Sequence, residues 1–274
     1  MSGENCKTPT FKSKEEVLDH YISFYLDIPE SFIDKVQKII QFLNTELYEQ
    51  LNNTYYFAFT GGKDCLAALI IMKLYYFLKK QKDFSINKKV LNSFFTNYNN
   101  IKLPKSLFKV AYFMNVNNYE EEENYIIQFI KEEDLEIIYI YSDFVSGLKL
   151  LINKYNMQYI LMGTRYTDLP NNPKPNSETL KNVENREQYQ FLHKSTHPYP
   201  EFIRVYPIFH FDYEDIWRLI LHTKIKYLDL YNRGYSSIGS VKNSKVNEHL
   251  LFNKEILPAW CMSLEFEYTE RDYR

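Results

Sequence analysis

A doubly wound parallel α/β sheet with flanking helices is the fold class that the sequence predicts, on three observations. Short apolar runs alternate with helical-period stretches over residues 55–162, a glycine turn closes the first run, and 274 residues suffice for one sizeable core with a C-terminal extension. Strands that alternate with helices must pair in parallel through crossovers, and right-handed crossovers stack their helices on both sheet faces.

The elements follow in order. Residues 15–26 read as a helix, and Phe32, Val36, Ile39, Ile40, Leu43 and Leu47 recur at helical spacing with charged residues on the opposite face, which predicts an amphipathic surface helix. The period then changes. Residues 55–59 form a short aromatic run that Thr60-Gly61-Gly62 ends ahead of a helix over 64–80. The pattern repeats as strand 110–114 and helix 119–134, strand 137–141 and helix 144–155, then strand 159–162. Glu120, Glu121, Glu122 and Glu123 read as the solvated first turn of a helix, favoured there by its dipole. Trp217 reads as core because Ile216, Leu219 and Ile220 surround it at helical spacing. Residues 169–197, rich in Asn, Pro and charge, read as one long mobile loop. The expected organisation is N-terminal helices packed on the core (1–52), a nucleotide-binding α/β domain (53–222) and an extension that completes the active site (223–274).

Composition removes several function classes. Lys plus Arg total 33 against 35 Asp plus Glu, a formal charge of −2, so no basic excess is available to hold a nucleic-acid backbone. The longest apolar stretch, 65–72, is far shorter than the roughly 18 residues of a membrane span, and residues 1–10 lack the apolar segment of a secretory signal. The expectation is a cytoplasmic monomer without nucleic-acid or membrane partners. Cys6, Cys65 and Cys261 are too widely spaced for a zinc site or a dithiol pair, and His193, His197, His210 and His222 form no metal-binding pair.

In an open parallel sheet, ligands bind beyond the carboxyl ends of the strands. The segment Phe59-Thr60-Gly61-Gly62-Lys63-Asp64-Cys65 lies at the first such end. Adjacent glycines let successive N–H groups converge on phosphate oxygens at the positive end of the next helix. Lys63 adds a point charge, and Asp64 is an expected oxygen ligand for the Mg2+ that accompanies ATP.

This segment resembles the SGGKDS loop of the PP-loop ATP pyrophosphatases, a superfamily that includes PAPS reductases, tRNA-thiolating enzymes, NAD synthetases and eukaryotic-type FAD synthases. Later segments resemble the FAD synthase branch. Gly163-Thr164-Arg165-Tyr166-Thr167-Asp168 is similar to its GxRxTD segment, and Tyr199-Pro200-Glu201-Phe202-Ile203-Arg204-Val205-Tyr206-Pro207-Ile208 to WPxFMRxxPI. Phe211-Asp212-Tyr213-Glu214-Asp215-Ile216-Trp217 resembles a helix-opening WxxxDIW, and 230–239 resembles LYxxGYTSIG. Pro258-Ala259-Trp260 and Glu270-Arg271-Asp272-Tyr273-Arg274 resemble PAW and ERxGR. The motifs keep the family's order from about residue 57 to 274.

The resemblance implies adenylyl transfer from ATP to FMN, giving FAD and pyrophosphate, with hand-over of FAD to apo-flavoproteins as a further implied contact. Thr60, Asp64, Arg165, Arg271 and Arg274 are then the catalytic candidates, since a guanidinium bridges two phosphate oxygens at once. Phe59, Gly61, Gly62, Lys63, Asn115, Gly163, Tyr166, Asp168, Tyr199, Arg204, Ser237 and Gly239 are the candidates for binding FMN and ATP. The C-terminal arginines are expected to fold back over the nucleotide site, on a charged tail 270–274 whose deletion leaves the melting temperature nearly unchanged. The chain departs from the family pattern at Thr60, where Asn is usual, at Asn115, where the family tends to carry an acid, in the length of 169–197, and in the missing glycine of the last motif. Two other readings remain open. A PAPS reductase-like enzyme needs a nucleophilic cysteine on an ECGLH tail, which the surroundings of Cys261 do not resemble, and a non-catalytic flavin-nucleotide carrier would bind without releasing pyrophosphate. A tRNA thiolase would require paired cysteines and a basic surface, and the sequence has neither.

Overall fold

The computed structural model describes residues 11–47, 55–105, 107–114, 118–168 and 191–273; Cys6, Asn115 and Arg274 lie outside them. The first apolar run forms β1 (Tyr55–Ala58), and the next three form β2 (Lys109–Phe113), β3 (Ile137–Ile140) and β4 (Tyr159–Met162). All four are parallel, with β1 between β2 and β4 and β3 outside β2. Every residue of β1 is buried, as expected of a central strand covered on both faces.

Two strands were not anticipated. β5 (Leu192–Lys194) and β6 (Ile203–Val205) extend the sheet to the order β3-β2-β1-β4-β6-β5, with β6 parallel to β4 and β5 antiparallel to β6. The reading of 169–197 as one loop is therefore corrected at its end, where β5 closes the sheet edge; residues 169–190 lie outside the described ones. Strands of three residues are too short to announce themselves by alternation.

The helices are α1 (Lys14–Leu26), α2 (Glu30–Phe42), α3 (Lys63–Gln81), α4 (Lys88–Asn97), α5 (Glu120–Glu132), α6 (Phe144–Tyr155) and α7 (Tyr213–Thr223). α4 escaped the sequence reading although Val90, Leu91, Phe94 and Phe95 carry a helical stripe and the Asn87 side chain accepts the Val90 N–H at 3.0 Å. Polar side chains fix other starts: Asp143 accepts the Ser146 N–H at 3.0 Å, and Asp212 and Asp215 cap α7 reciprocally, each also held by Lys35 of α2.

Alternation along β1 divides the core. Tyr55, Phe57 and Phe59 face a large cluster built with α1 to α5 and α7, while Tyr56 and Ala58 face a smaller one with Leu148 and Leu151 of α6. α3 runs through the larger layer and is buried over most of its length, with α2 and α7 against it and α1 across α7. Arg218 of α7 ties α1 in place by donating to the carbonyls of Phe24 at 3.0 Å, Tyr25 at 3.1 Å and Asp27. No described helix is long and apolar enough to cross a membrane.

Candidate active site

The chain leaves β1 at its carboxyl end and turns through Gly61, whose φ of +75° suits glycine. A Cβ there would lie 2.8 Å from Ile126 Cγ1, so α5 presses directly on the turn. Gly62 is the N-cap of α3 and supplies no side-chain cap, which leaves first-turn N–H groups for an anion. The Lys63 N–H is an exception: it donates to Tyr231 Oη at 2.9 Å. Thr60 is exposed at the mouth of the turn, with Oγ1 3.5 Å from Cys65 Sγ. Phe59 requires correction as a binding residue. It is fully buried and stacks on Phe129 at 5.2 Å between centroids, so its side chain is core.

Beside this turn three cations and four carboxylates interlock. Arg165, on the segment after β4, is 0% exposed; its Nε lies 3.0 Å from Asp64 Oδ1, its Nη1 donates to Glu267 Oε1 at 2.7 Å, and its Nη2 donates to Glu270 Oε2. Lys63, 1% exposed, donates to Glu270 Oε1 and lies 3.3 Å from Asp64 Oδ2. Arg271 is 25% exposed and reaches Asp168 Oδ1 and, at 3.5 Å, Asp64 Oδ2. Arg271 does fold back onto the glycine turn. Arg165 and Lys63, however, are not free phosphate hands as the sequence suggested: carboxylates from the end of the chain already hold them, and burial leaves them no route to a new partner without rearrangement.

Electrostatics follows this geometry. Burial pushes the Asp64 carboxyl up, but Lys63, then Arg165 and Arg271, overcome it and hold the group well below the usual carboxylate range. Glu270 behaves likewise, with burial opposed by Arg165, Lys63 and Arg271. Burial works against the charged form of Arg165, but Glu270, Asp64, Asp168 and Glu267 keep it protonated. Both Asp64 oxygens face cations, and among the described residues no group of three or more His, Cys, Asp or Glu side chains could hold a metal. As arranged, Asp64 does not fit a divalent ion, because three cations already share its two oxygens.

Gly163 explains how the two strand ends meet. A Cβ on it would stand 2.7 Å from both Asp64 C and Cys65 N, backbone atoms of the first turn of α3 that cannot swing aside. Gly163→Ala is expected to cost about 1–3 kcal/mol by overpacking and to displace Asp64 from Arg165. Gly62→Ala, whose Cβ would meet nothing closer than Thr60 Oγ1 at 3.5 Å, should melt like the wild type. Parallel thermal melts of the two variants check this contrast, and equal melting temperatures would remove it.

The remaining candidates are distributed around this cluster. Asp168 Oδ2 accepts the Arg165 N–H at 2.9 Å, and the Tyr166 N–H donates to the Phe209 carbonyl at 2.8 Å while its ring meets Phe209 edge-on at 5.9 Å. The guanidinium of Arg204, a residue of β6, lies 4.9 Å from the Tyr199 ring. Ser237 is buried, and the Gly239 N–H donates to Ser244 Oγ at 2.9 Å. Gly239 also lines a cavity of about 310 Å³ with Thr60 and Gly62 of the turn. Asn115 and Arg274 lie outside the described residues.

Three carboxylates were missed as site residues. Glu267 and Glu270 sit in acidic C-terminal sequence with no periodicity to reveal burial, although Glu270 opens the motif that carries Arg271. Glu122 is also buried, which corrects the reading of 120–123 as a uniformly solvated turn: it points inward at the spacing of Ile126, a signal the run of four acids conceals.

Comparison with known proteins adds an independent line. The family model described as Phosphoadenosine phosphosulfate reductase domain matches residues 54–246. The flavin adenine dinucleotide synthase of Saccharomyces cerevisiae is 24% identical over 257 residues, covering 86% of this chain and 74% of its own length. A probable FAD synthase of Schizosaccharomyces pombe is 29% identical over 194 residues, covering 70% of this chain; the chain spans 61% of that relative. The crystal structure of yeast FAD synthetase in complex with FAD superposes with a TM-score of 0.65 at 19% identity, covering 93% of this chain and 97% of that one, which places the fold alongside it.

Proposed function

The chain belongs to the phosphoadenosine phosphosulfate reductase domain family, and from that premise we propose that it is an FMN adenylyltransferase, transferring AMP from ATP to FMN to give FAD and pyrophosphate. One observation carries the reading: Arg271, from the last turn of the chain, meets Asp64 of the glycine turn and Asp168 of the β4 segment, so three motifs far apart in sequence converge on one point. The two relatives compared are named as FAD synthases, in keeping with this reading.

The FMN phosphate attacks the α-phosphorus of ATP in line with the departing pyrophosphate, forming one P–O bond as another breaks. That phosphate is already ionised at neutral pH, so positioning and cationic stabilisation matter more than a general base. The Gly61-Gly62 turn and the start of α3 receive the ATP phosphates, and Arg271, the most accessible of the three clustered cations, turns from its carboxylates toward the reacting phosphates. Arg165 and Lys63 act as positioning residues: they hold Asp64 and Glu270, which seat the tail. Tyr166, Asp168, Tyr199 and Arg204 border the flavin side, and Ser237 and Gly239 the nucleotide side. Magnesium enters as the ion that accompanies ATP, and no step runs through Asp64 as its ligand. The same proposal includes a cytoplasmic monomer that hands FAD to apo-flavoproteins.

Reductase chemistry is disfavoured because Cys261 is buried and burial pushes its thiol far up, the reverse of what a nucleophilic cysteine needs. Incubation with FMN, ATP and magnesium should give FAD on chromatography and one pyrophosphate for each FAD. Tight flavin binding without pyrophosphate would make the protein a carrier instead.

A further inference from the structure

The cavity beside the glycine turn holds a buried acid that the proposed chemistry does not use. Its volume of about 310 Å³ lies at the lower end of the roughly 300–1,000 Å³ of small-molecule sites. Thr60 and Gly62 of the glycine turn, Tyr112 and Phe113 at the end of β2, Ile238, and Glu122 of α5 are among the residues that line the cavity. Glu122 is 7% exposed, and its Oε2 has no hydrogen-bond partner among the described residues. Burial pushes its carboxyl up to about 7, opposed in part by the Tyr119 N–H. A buried carboxylate oxygen without a donor is costly, and a ligand that brings a donor removes that cost.

The donor can be placed along the nucleotide. Phosphate is unsuitable, because it would set anion against anion. Glu122 precedes Ile126 by four residues on one face of α5, and Ile126 is the side chain seated against Gly61. Glu122 therefore lies about one helical turn, roughly 6 Å along the α5 axis, from the residue that packs on the glycine turn. The sugar is the part of ATP joined directly to the α-phosphate, whereas the amino group of the base lies further out. In open α/β sheets a carboxylate near a strand end commonly takes a ribose hydroxyl. Here β2 ends at Phe113, and Glu122 is the first buried acid after it among the described residues.

We propose that Glu122 accepts a hydrogen bond from a ribose hydroxyl of bound ATP and makes the site selective for ribonucleotides. This rests on the reading of the chain as an ATP-using enzyme. The test is calorimetric titration of ATP, 2′-deoxy-ATP, 3′-deoxy-ATP and inosine triphosphate into the wild type, Glu122→Ala and Glu122→Gln, with FAD formation assayed separately. The wild type should prefer ATP over at least one deoxy analogue by about tenfold, as for a lost hydrogen bond to a buried acceptor. Glu122→Ala should bind ATP and the deoxy analogues alike, Glu122→Gln should keep part of the preference, and the ratio of ATP to inosine triphosphate should not move. Should Glu122→Ala fail to fold, the isosteric Gln variant decides, and an unchanged preference in it overturns the proposal. So does a change confined to the inosine triphosphate ratio, which would place Glu122 at the base edge. A wild type that binds no ATP overturns this assignment and the enzyme reading together, whereas selective ATP binding without FAD formation supports the assignment and removes only the adenylyltransferase.

Discussion

Glu270→Gln should lower the melting temperature by about 6–12 °C. Glu270 is 2% exposed and faces two buried cations, Lys63 and Arg165, so neutralising it leaves positive charge in the interior with fewer partners. Breaking a buried pair from one side costs about 3–5 kcal/mol, and the lower end applies because Arg165 keeps Asp64 and Glu267 and Lys63 keeps Asp64. At about 2–4 °C for each kcal/mol in a chain of this size, the shift follows. Deleting 270–274 should do more, since it also removes the bond from Ser236 Oγ to the Glu270 carbonyl at 2.9 Å and that from the Lys245 N–H to the Tyr273 carbonyl at 2.7 Å. The sequence-based expectation that this deletion leaves melting unchanged is therefore reversed. The pH dependence separates charge from packing. Glu270 is held below its ordinary value in the folded state, so its stabilisation is fully present above about pH 4.5 and fades as pH falls through the lowered value. The gap between wild type and Glu270→Gln should accordingly narrow in acid, and a gap independent of pH would mean that packing is the cause.

Arg271→Ala is expected to lower kcat for FAD formation by about 100- to 1,000-fold with a much smaller rise in KM, as for a lost donor whose bonds form mainly in the transition state. Its loss leaves Asp64 paired with Lys63 and Arg165, so melting should change less than in Glu270→Gln. Arg271→Lys should restore only part of the rate, because an ammonium supplies charge without the planar fork. Steady-state kinetics with FMN and ATP varied in turn distinguish the outcomes. Full turnover by Arg271→Ala would leave the arginine as a clasp that holds Asp168 and the tail, with no part in the chemistry.

The strand, turn and helix order around β1 and α3 was legible in the sequence because it depends on local properties: the side-chain period, the double glycine and the helix that follows it. The parallel placement of β1 to β4 followed from alternation alone. α4 carries a helical stripe in its sequence, whereas β5 and β6 are too short to show a period. Among the candidate residues, Gly61, Gly62, Lys63 and Asp64 follow from the glycine turn, and Arg165, Asp168 and Arg271 from segments that resemble the family's motifs; the structure brings Lys63, Asp64, Arg165, Asp168 and Arg271 together. Their partners could not.

Sequence by itself determined most of the segments that become strands and helices and which strand ends carry the candidate side chains, since backbone preference and hydrophobic period act over a few residues. Only the tertiary structure decided the state of each charge. Glu270 reaches Lys63 across 207 residues and Arg165 across 105, and Glu267 reaches Arg165 across 102. A charged side chain reads as solvated until something brings it a buried partner, and that partner is supplied by chain closure rather than by its neighbours. The same reason separates Glu122 from the three acids beside it: one face of α5 turns toward the glycine loop, and burial, which no local pattern of four glutamates records, gives that one carboxylate its different chemistry.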